Sequence, residues 1–174
     1  NRVVKFFRDK LHYTYLGNLY DNENRNIMQE RLHAWLLKQG YSEKLAANAI
    51  DALVKTSTNL QQGLYHANKE VYSLLKYGAK VKESVEQSPK TVYFIDFEDV
   101  SKNDFYIAEE VTIVSNNTKR LDVVIYVNGI AVAVIELKKS SVSVSNGIRQ
   151  NLTNQKSNFI EDFFTTIQFC MAGN

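Results

Sequence analysis

Cysteine, proline and glycine are scarce in this chain of 174 residues, which contains one, one and seven of them respectively. The single cysteine, Cys170, cannot form an internal disulfide, and such cysteine usage is typical of a reducing, cytoplasmic compartment. So little proline and glycine leaves no room for a long flexible linker. No apolar run approaches the ~18 residues of a membrane-spanning helix, so we expect no such helix. The chain begins with Asn rather than Met, which indicates a piece of a longer protein.

The motifs of several enzyme classes are also missing. His12, His33 and His66 are scattered without the spacing of zinc ligands. The sequence has no Ser-His-Asp order, no Cys-His pair, no glycine-rich phosphate loop and no dinucleotide fingerprint. These absences argue against a zinc enzyme, a serine or cysteine hydrolase, and a nucleotide hydrolase of the phosphate-loop type.

Charge is distributed unevenly along an otherwise ordinary globular composition of 44% hydrophobic and 23% charged residues. The net charge is only +2, yet residues 119–156 carry six basic residues against two acids. A positive surface attracts polyanions such as nucleic acids, although a solvated polar face is the simpler interpretation. The basic residues of this segment are Lys119, Arg120, Lys138, Lys139, Arg149 and Lys156, and the acids are Asp122 and Glu136.

Hydrophobic periodicity divides the chain into a helical first half and a strand-rich second half. Apolar residues at helical spacing predict helices over residues 3–11, 27–37, 43–54 and 67–77. Runs of β-branched and aromatic residues predict strands over residues 92–97, 105–114, 121–127 and 130–137, then a helix near 144–159 and a last strand over 166–171. This order predicts a mixed α/β domain around one sheet, with a helical part (1–78) packed on a core (79–174).

The segment 120–139 carries the most informative pattern. Asn128-Gly129, the strongest short hairpin signal, joins two strongly predicted strands. Asp122 lies near the start of this apolar hairpin, and Glu136 and Lys138 lie near its end. Charged side chains inside a sheet are costly unless they are paired or bind a metal. One interpretation is therefore a Mg²⁺ site, since this ion takes oxygen ligands and often only one or two carboxylates. The other is that these charged residues reach solvent at the strand ends, where Glu136 and Lys138 form a weak surface ion pair.

The register of the hairpin decides between these interpretations. A regular two-residue turn would pair Asp122 with Ile135, so that Glu136 would face away from Asp122. A three-residue loop would instead place Asp122 opposite Val134 and diagonal to Glu136, within reach of a shared ion. The metal interpretation thus predicts a one-residue offset at the turn or a bulge further along the hairpin.

The segment 120–139, with Val-Asn-Gly at its centre, resembles the nuclease domain at the N-terminus of type I restriction enzyme R (restriction) subunits. Residues 10–18, 68–72 and 78–81 share this resemblance, which covers most of the chain. It implies a restriction-endonuclease-like core of the PD-(D/E)xK type, a mixed sheet flanked by helices. It also implies that the chain acts in the cytoplasm as an endonuclease domain on double-stranded DNA.

The same resemblance implies the roles of individual residues. Asp122 and Glu136 would bind Mg²⁺ with the carbonyl of Leu137, and Lys138 would position the attacking water. The family has a Gln-x-x-x-Tyr motif on the helix after the hairpin; Gln150 matches its Gln, and Asn154 stands in place of its Tyr. Candidates for DNA contacts are Arg120, Lys139, Arg149, Gln150 and Lys156.

The resemblance also implies partners and alternatives. In full R subunits an ATP-driven translocase follows this domain, so ATP would act only through a motor that this chain lacks. Modification and specificity subunits would select the DNA sequence. Two other functions stay open: a non-catalytic DNA-binding or docking module of the same fold, and a stand-alone repair nuclease.

Overall fold

The computed structural model describes residues 2–174, in which most of the helices precede most of the strands. The helices are α1 (Arg2–Asp9), α2 (Gln29–Lys38), α3 (Glu43–Ser57), α4 (Leu64–Tyr77) and α5 (Val144–Asn154). The strands are β1 (Thr14–Asn18), β2 (Ala79–Val81), β3 (Lys90–Val92), β4 (Phe105–Val114), β5 (Thr118–Val127), β6 (Ile130–Leu137) and β7 (Phe169–Gly173). Short 3₁₀ turns cover Val100–Lys102 and Glu161–Thr165.

Five strands form a mixed sheet in the order β1-β4-β5-β6-β7. The three central strands are antiparallel to one another, whereas the edge strands β1 and β7 run parallel to their neighbours. β2 and β3 form a separate two-stranded antiparallel ribbon. The predicted fold class, a mixed sheet flanked by helices in a restriction-endonuclease-like arrangement, is therefore confirmed.

Helical segments cover both faces of the sheet. On one face, Val4 of α1 packs against Ile107, Val123 and Ile135. On the other, the 3₁₀ turn at Glu161–Thr165 brings Phe163 and Phe164 into a second cluster, whose other buried members include Val124 and Val134. Helices α2, α3 and α4 form a third cluster that reaches the hairpin turn at Ile130. None of the helices within residues 2–174 combines the length and the apolar character that crossing a membrane requires.

Most helices lie close to their predicted positions. A capping hydrogen bond explains where α3 begins. The side chain of Ser42 accepts a hydrogen bond from the backbone N–H of Leu45 and so starts α3. The predicted helix near 144–159 ends earlier, at Asn154, where the Asn154 carbonyl accepts the N–H of Ile160.

The strand prediction was less accurate away from the central hairpin. β1 and β2 were not predicted, and β1 lies within the part of the chain expected to be helical. The strand predicted over residues 92–97 was wrong beyond Val92. There the Asp96 carboxylate accepts the N–H groups of Glu98 and Asp99, which folds the chain into a turn. The last strand is Phe169–Gly173 rather than 166–171.

Candidate metal centre

The β5–β6 hairpin contains both a tight turn and a bulge. Asn128 and Gly129 have φ of 54° and 90°, as a two-residue turn of the primed type requires, and Val127 pairs with Ile130. The register then shifts by one residue, because Tyr126 pairs with Ala131 whereas Ile125 pairs with Ala133. The predicted three-residue loop is thus wrong, and the alternative prediction of a bulge further along the hairpin is confirmed.

The bulge brings the two acids of the hairpin into the same cross-strand position. Beyond it, Val123 pairs with Ile135, and this register, continued by one residue, places Asp122 opposite Glu136. The Oδ2 atom of Asp122 accepts the backbone N–H of Leu137 at 2.6 Å, which holds this carboxylate against the end of β6. The two acids are therefore directly opposite rather than diagonal, a closer arrangement than the sequence predicts.

Glu136 is a buried carboxylate without hydrogen bonds. Its side chain is fully buried, and neither carboxylate oxygen has a hydrogen-bond partner within residues 2–174. Its nearest cation, Lys138 Nζ, lies 3.6 Å from Oε2, close enough for an ion pair but not for a hydrogen bond. Burial raises the pKa of Glu136 to about 7, and the nearby Asp122 carboxylate adds to the rise while Lys138 opposes it. A charged group in this position needs a further positive partner.

Lys138 is held by helix α5. Its ammonium donates a hydrogen bond to Oε1 of Gln150 at 2.6 Å. Since Lys138 carries three N–H bonds, this contact and the attraction of Glu136 leave donor capacity for a further group. The structure thus brings together four of the residues singled out in the sequence: Asp122, Glu136, Lys138 and Gln150.

The donor set of this site matches a hard cation. Its oxygens come from two opposed carboxylates, with the Leu137 backbone between Glu136 and Lys138. No group of three or more His, Cys, Asp or Glu side chains suited to a metal occurs in the described part of the chain. A site with two carboxylates therefore suits Mg²⁺, which keeps several waters, better than zinc, which takes about four protein ligands in a closed site. The unpaired Glu136 oxygens are the observation that fits such an ion.

Comparison with known proteins gives a consistent result over the whole chain. A family model described as type I restriction enzyme R protein N terminus matches residues 1–174. The chain belongs to this family. It is also 28% identical, over 136 residues, to a protein named putative type I restriction enzyme MjaIXP endonuclease subunit from Methanocaldococcus jannaschii. That match covers 73% of this chain and 12% of the relative, so the chain corresponds to a small part of the relative's length.

The basic residues of this R-protein N-terminal domain differ in their exposure and in the contacts they make within the fold. Arg120 Nε lies 2.6 Å from Glu110 Oε2, and the guanidinium lies over the ring of Tyr20. Arg149 is exposed on α5 and bonds only to nearby helix side chains, with 2.7 Å to Asn146 Oδ1. Lys139 and Lys156 are exposed as well. Among the basic candidates for DNA contacts, Arg120 is therefore the one already paired with an acid.

Two residues of α5 that lie close to this site, Gly147 and Asn151, were not singled out in the sequence. Gly147 packs beside Glu136 and Lys138, and the buried Asn151 side chain donates a hydrogen bond to the Met171 carbonyl of β7. A signal was present in the sequence, because an isolated glycine inside a helical pattern often has a packing reason. Asn151 gave no comparable signal, since its role depends on the backbone of β7.

Proposed function

We propose that this domain hydrolyses phosphodiester bonds of double-stranded DNA in a Mg²⁺-dependent reaction, as the endonuclease of a type I restriction R subunit. One observation carries the proposal: a fully buried Glu136 carboxylate without hydrogen bonds stands opposite Asp122 and beside a Lys138 that Gln150 holds in place. Family membership supports the same assignment.

Asp122, Glu136 and the carbonyl of Leu137 would hold the ion. When bound, Mg²⁺ would neutralise charge on the reacting phosphate and favour deprotonation of the attacking water. The resemblance of residues 120–139 and the donor set both support these ligands, and two carboxylates would balance a divalent charge. Asp122 is fixed for this role by the N–H of Leu137, so its second oxygen, Oδ1, is the atom free to turn toward the ion.

Lys138 would act on the reacting groups themselves. Its ammonium would orient the water and stabilise the negative charge that develops on the phosphate oxygens. In the reaction the water oxygen bonds to phosphorus, the bond from phosphorus to the leaving sugar oxygen breaks, and that oxygen takes up a proton. Gln150 would keep Lys138 aimed at the phosphate rather than collapsed onto Glu136.

DNA would approach over α5 and the chain after β6. Arg149, Lys139 and Lys156 are exposed there and suited to phosphate contacts, which position a duplex without reading its sequence. Three such contacts give weak binding at physiological salt. We therefore propose that sequence selection and DNA delivery come from modification and specificity subunits and from an ATP-driven translocase in the complete R subunit.

The test uses the full-length R subunit in its restriction complex, with ATP and a circular DNA that carries the recognition site. Asp122→Asn, Glu136→Gln and Lys138→Ala should each lower the cleavage rate at least about 10²- to 10³-fold, as loss of transition-state stabilisation does. DNA binding should change less than about threefold, because these residues make few backbone contacts. Lys80→Ala, an exposed lysine on β2, is the matched control and should cleave normally.

Two outcomes would count against the proposal. If all three variants cleaved at the wild-type rate, the site would not be catalytic. If the wild-type complex bound and translocated DNA without cutting it at any Mg²⁺ or Mn²⁺ concentration, the domain would be a DNA-binding or docking module.

A further inference from the structure

Helix α5 comes unusually close to the sheet at Gly147. A Cβ built on this residue would lie 3.0 Å from the Cβ of Ala172, and 3.6 Å from both Glu136 Cβ and Lys138 Cγ. Carbon atoms prefer separations of about 3.5–4.0 Å. The position of a Cβ is fixed by the backbone, so no change of rotamer at position 147 or at Ala172 could relieve the short contact. The helix backbone would have to move.

The residues one turn further along α5 depend on this close approach. Gly147, Gln150 and Asn151 have the i, i+3, i+4 spacing that places side chains on one helical face. Gln150 Oε1 accepts the Lys138 ammonium at 2.6 Å, and Asn151 Nδ2 donates to the Met171 carbonyl at 3.0 Å. The first bond reaches the residue that follows β6, and the second reaches β7, which pairs with β6, so both fix α5 beside the strand that carries Glu136.

We infer that Gly147 is a positioning residue for the reaction proposed above: the absence of a side chain lets α5 seat against β6 and β7, and this seating aims Lys138 through Gln150. The inference rests on the proposed nuclease function. It assigns to Gly147 no contact with DNA, metal or the reacting phosphate.

Helix propensity opposes the presence of glycine here, which strengthens the argument. Within a helix, glycine is intrinsically less favourable than alanine. Gly147→Ala therefore gains intrinsic helix stability while it loses the close fit to Ala172. Since the two effects have opposite signs, the melting temperature should change by only a few degrees, whereas the position of Gln150 should change directly.

The expected catalytic effect follows from the distances. A contact of 3.0 Å would move α5 outward by a few tenths of an ångström, which would lengthen the Lys138–Gln150 bond from 2.6 Å toward about 3 Å. A misplacement of about 1 Å can cost roughly 10²-fold in rate, so a smaller shift should cost less. We expect Gly147→Ala to lower kcat for cleavage by about 3- to 10-fold, with little change in KM for DNA.

The first experiment measures cleavage by the full-length R subunit in its complex. Ala172→Gly removes the atom that an alanine at 147 would meet, so the double variant Gly147→Ala/Ala172→Gly should recover most of the lost rate. Gly173→Ala is the matched control, because the nearest atom to a Cβ there is 4.0 Å away. It should cleave at the wild-type rate. Failure of Ala172→Gly to restore cleavage would overturn the inference.

The second experiment tests whether Gly147 acts through Gln150. If it does, Gly147→Ala/Gln150→Ala should be no slower than Gln150→Ala alone. If the rate losses of the two substitutions multiplied in the double variant, the two residues would act separately, and the inference would be overturned. Failure of the proposed function has a different signature: Asp122→Asn and Glu136→Gln would then leave cleavage unchanged, whatever Gly147→Ala did.

Discussion

The two ends of the β5–β6 hairpin each bury an amide or carboxylate side chain, and the two side chains differ in their hydrogen bonding. At the turn, Asn128 is fully buried, and its side chain accepts the Asp104 N–H at 2.7 Å and donates to Phe94 and Asn103 at 2.8 Å. At the open end, Glu136 is equally buried, and its carboxylate oxygens have no hydrogen bond within the described residues.

We interpret this contrast as the difference between a polar group that stabilises the fold and one that binds an ion in the proposed reaction. Buried polar groups are nearly always hydrogen-bonded, and one without hydrogen bonds needs an explanation. Asn128 satisfies the rule and fixes the turn. Glu136 lacks hydrogen bonds and lies next to a second carboxylate and a lysine, which is the arrangement expected of an ion site. Under this proposal the hairpin has a structural end and a functional end.

The largest effect on stability is expected at the turn. Asn128→Ala should lower the free energy of unfolding by about 3 kcal/mol, because it leaves buried partners unpaired and places a non-glycine residue without local hydrogen bonds at positive φ. Urea denaturation of the 174-residue chain measures this loss. Asn128→Gly keeps the backbone unstrained and loses only the hydrogen bonds, so it should be intermediate.

A small loss of stability in both Asn128 variants, below about 1 kcal/mol, would break the comparison. The hydrogen bonds at the turn would then contribute no more than exposed ones do. Equal losses in Asn128→Ala and Asn128→Gly would instead assign the whole effect to the side-chain bonds and none to the backbone.

The hairpin was the best predicted part of the molecule because its signals are local. Asn128-Gly129 specifies a tight turn through the conformations those two residues tolerate, and the β-branched runs on either side need no distant partner to form strands. The need for a bulge could also be predicted, since two acids on one strand pair can share an ion only in certain registers.

The remaining features depend on contacts between distant parts of the chain. β1 is short, and its register with β4 shifts at Leu16, because Tyr15 pairs with Ile107 whereas Gly17 pairs with Ala108, so its sequence carries little strand signal without that neighbour. The buried Glu136 packs beside α5, where a Cβ built on Gly147 would lie 3.6 Å from the Cβ of Glu136. The ion pair that engages Arg120 needs Glu110 from the neighbouring strand. None of these contacts can be predicted from periodicity.

The free energy of unfolding should rise when the charge of Glu136, at the open end of the hairpin, is removed. The pKa of Glu136 is about 7, above its ordinary value of 4.5, so the folded chain binds this proton more tightly than the unfolded chain does. Stability is therefore lost as the pH rises through about 7, since the carboxylate ionises in a buried site where the Lys138 ammonium, 3.6 Å away, offsets the cost only in part. In EDTA, Glu136→Gln should raise the free energy of unfolding by about 2 kcal/mol at pH 8.

That gain should shrink toward pH 5, where wild-type Glu136 is protonated in the fold. Urea denaturation at pH 5, 6, 7 and 8 measures the trend, and Asn128→Gly serves as the control whose effect should not vary with pH. A Glu136→Gln difference of constant size across this range would contradict a raised pKa at this carboxyl.

The smallest expected effect is the stabilisation of the chain by Mg²⁺. It tests the contrast between Asn128 and Glu136 most directly, because a bound cation should contact the carboxylate oxygens of Glu136 that lack hydrogen bonds. At pH 8, 10 mM MgCl₂ should stabilise the wild-type chain by about 1 kcal/mol if the ion binds with a dissociation constant of about 2 mM. NaCl of equal ionic strength should not. Asn128→Gly should keep this response, since its partners are all within the fold, whereas Glu136→Gln should lose it. If Mg²⁺ still stabilised Glu136→Gln, the ion would bind elsewhere. The absence of hydrogen bonds at the Glu136 carboxylate would then have no explanation.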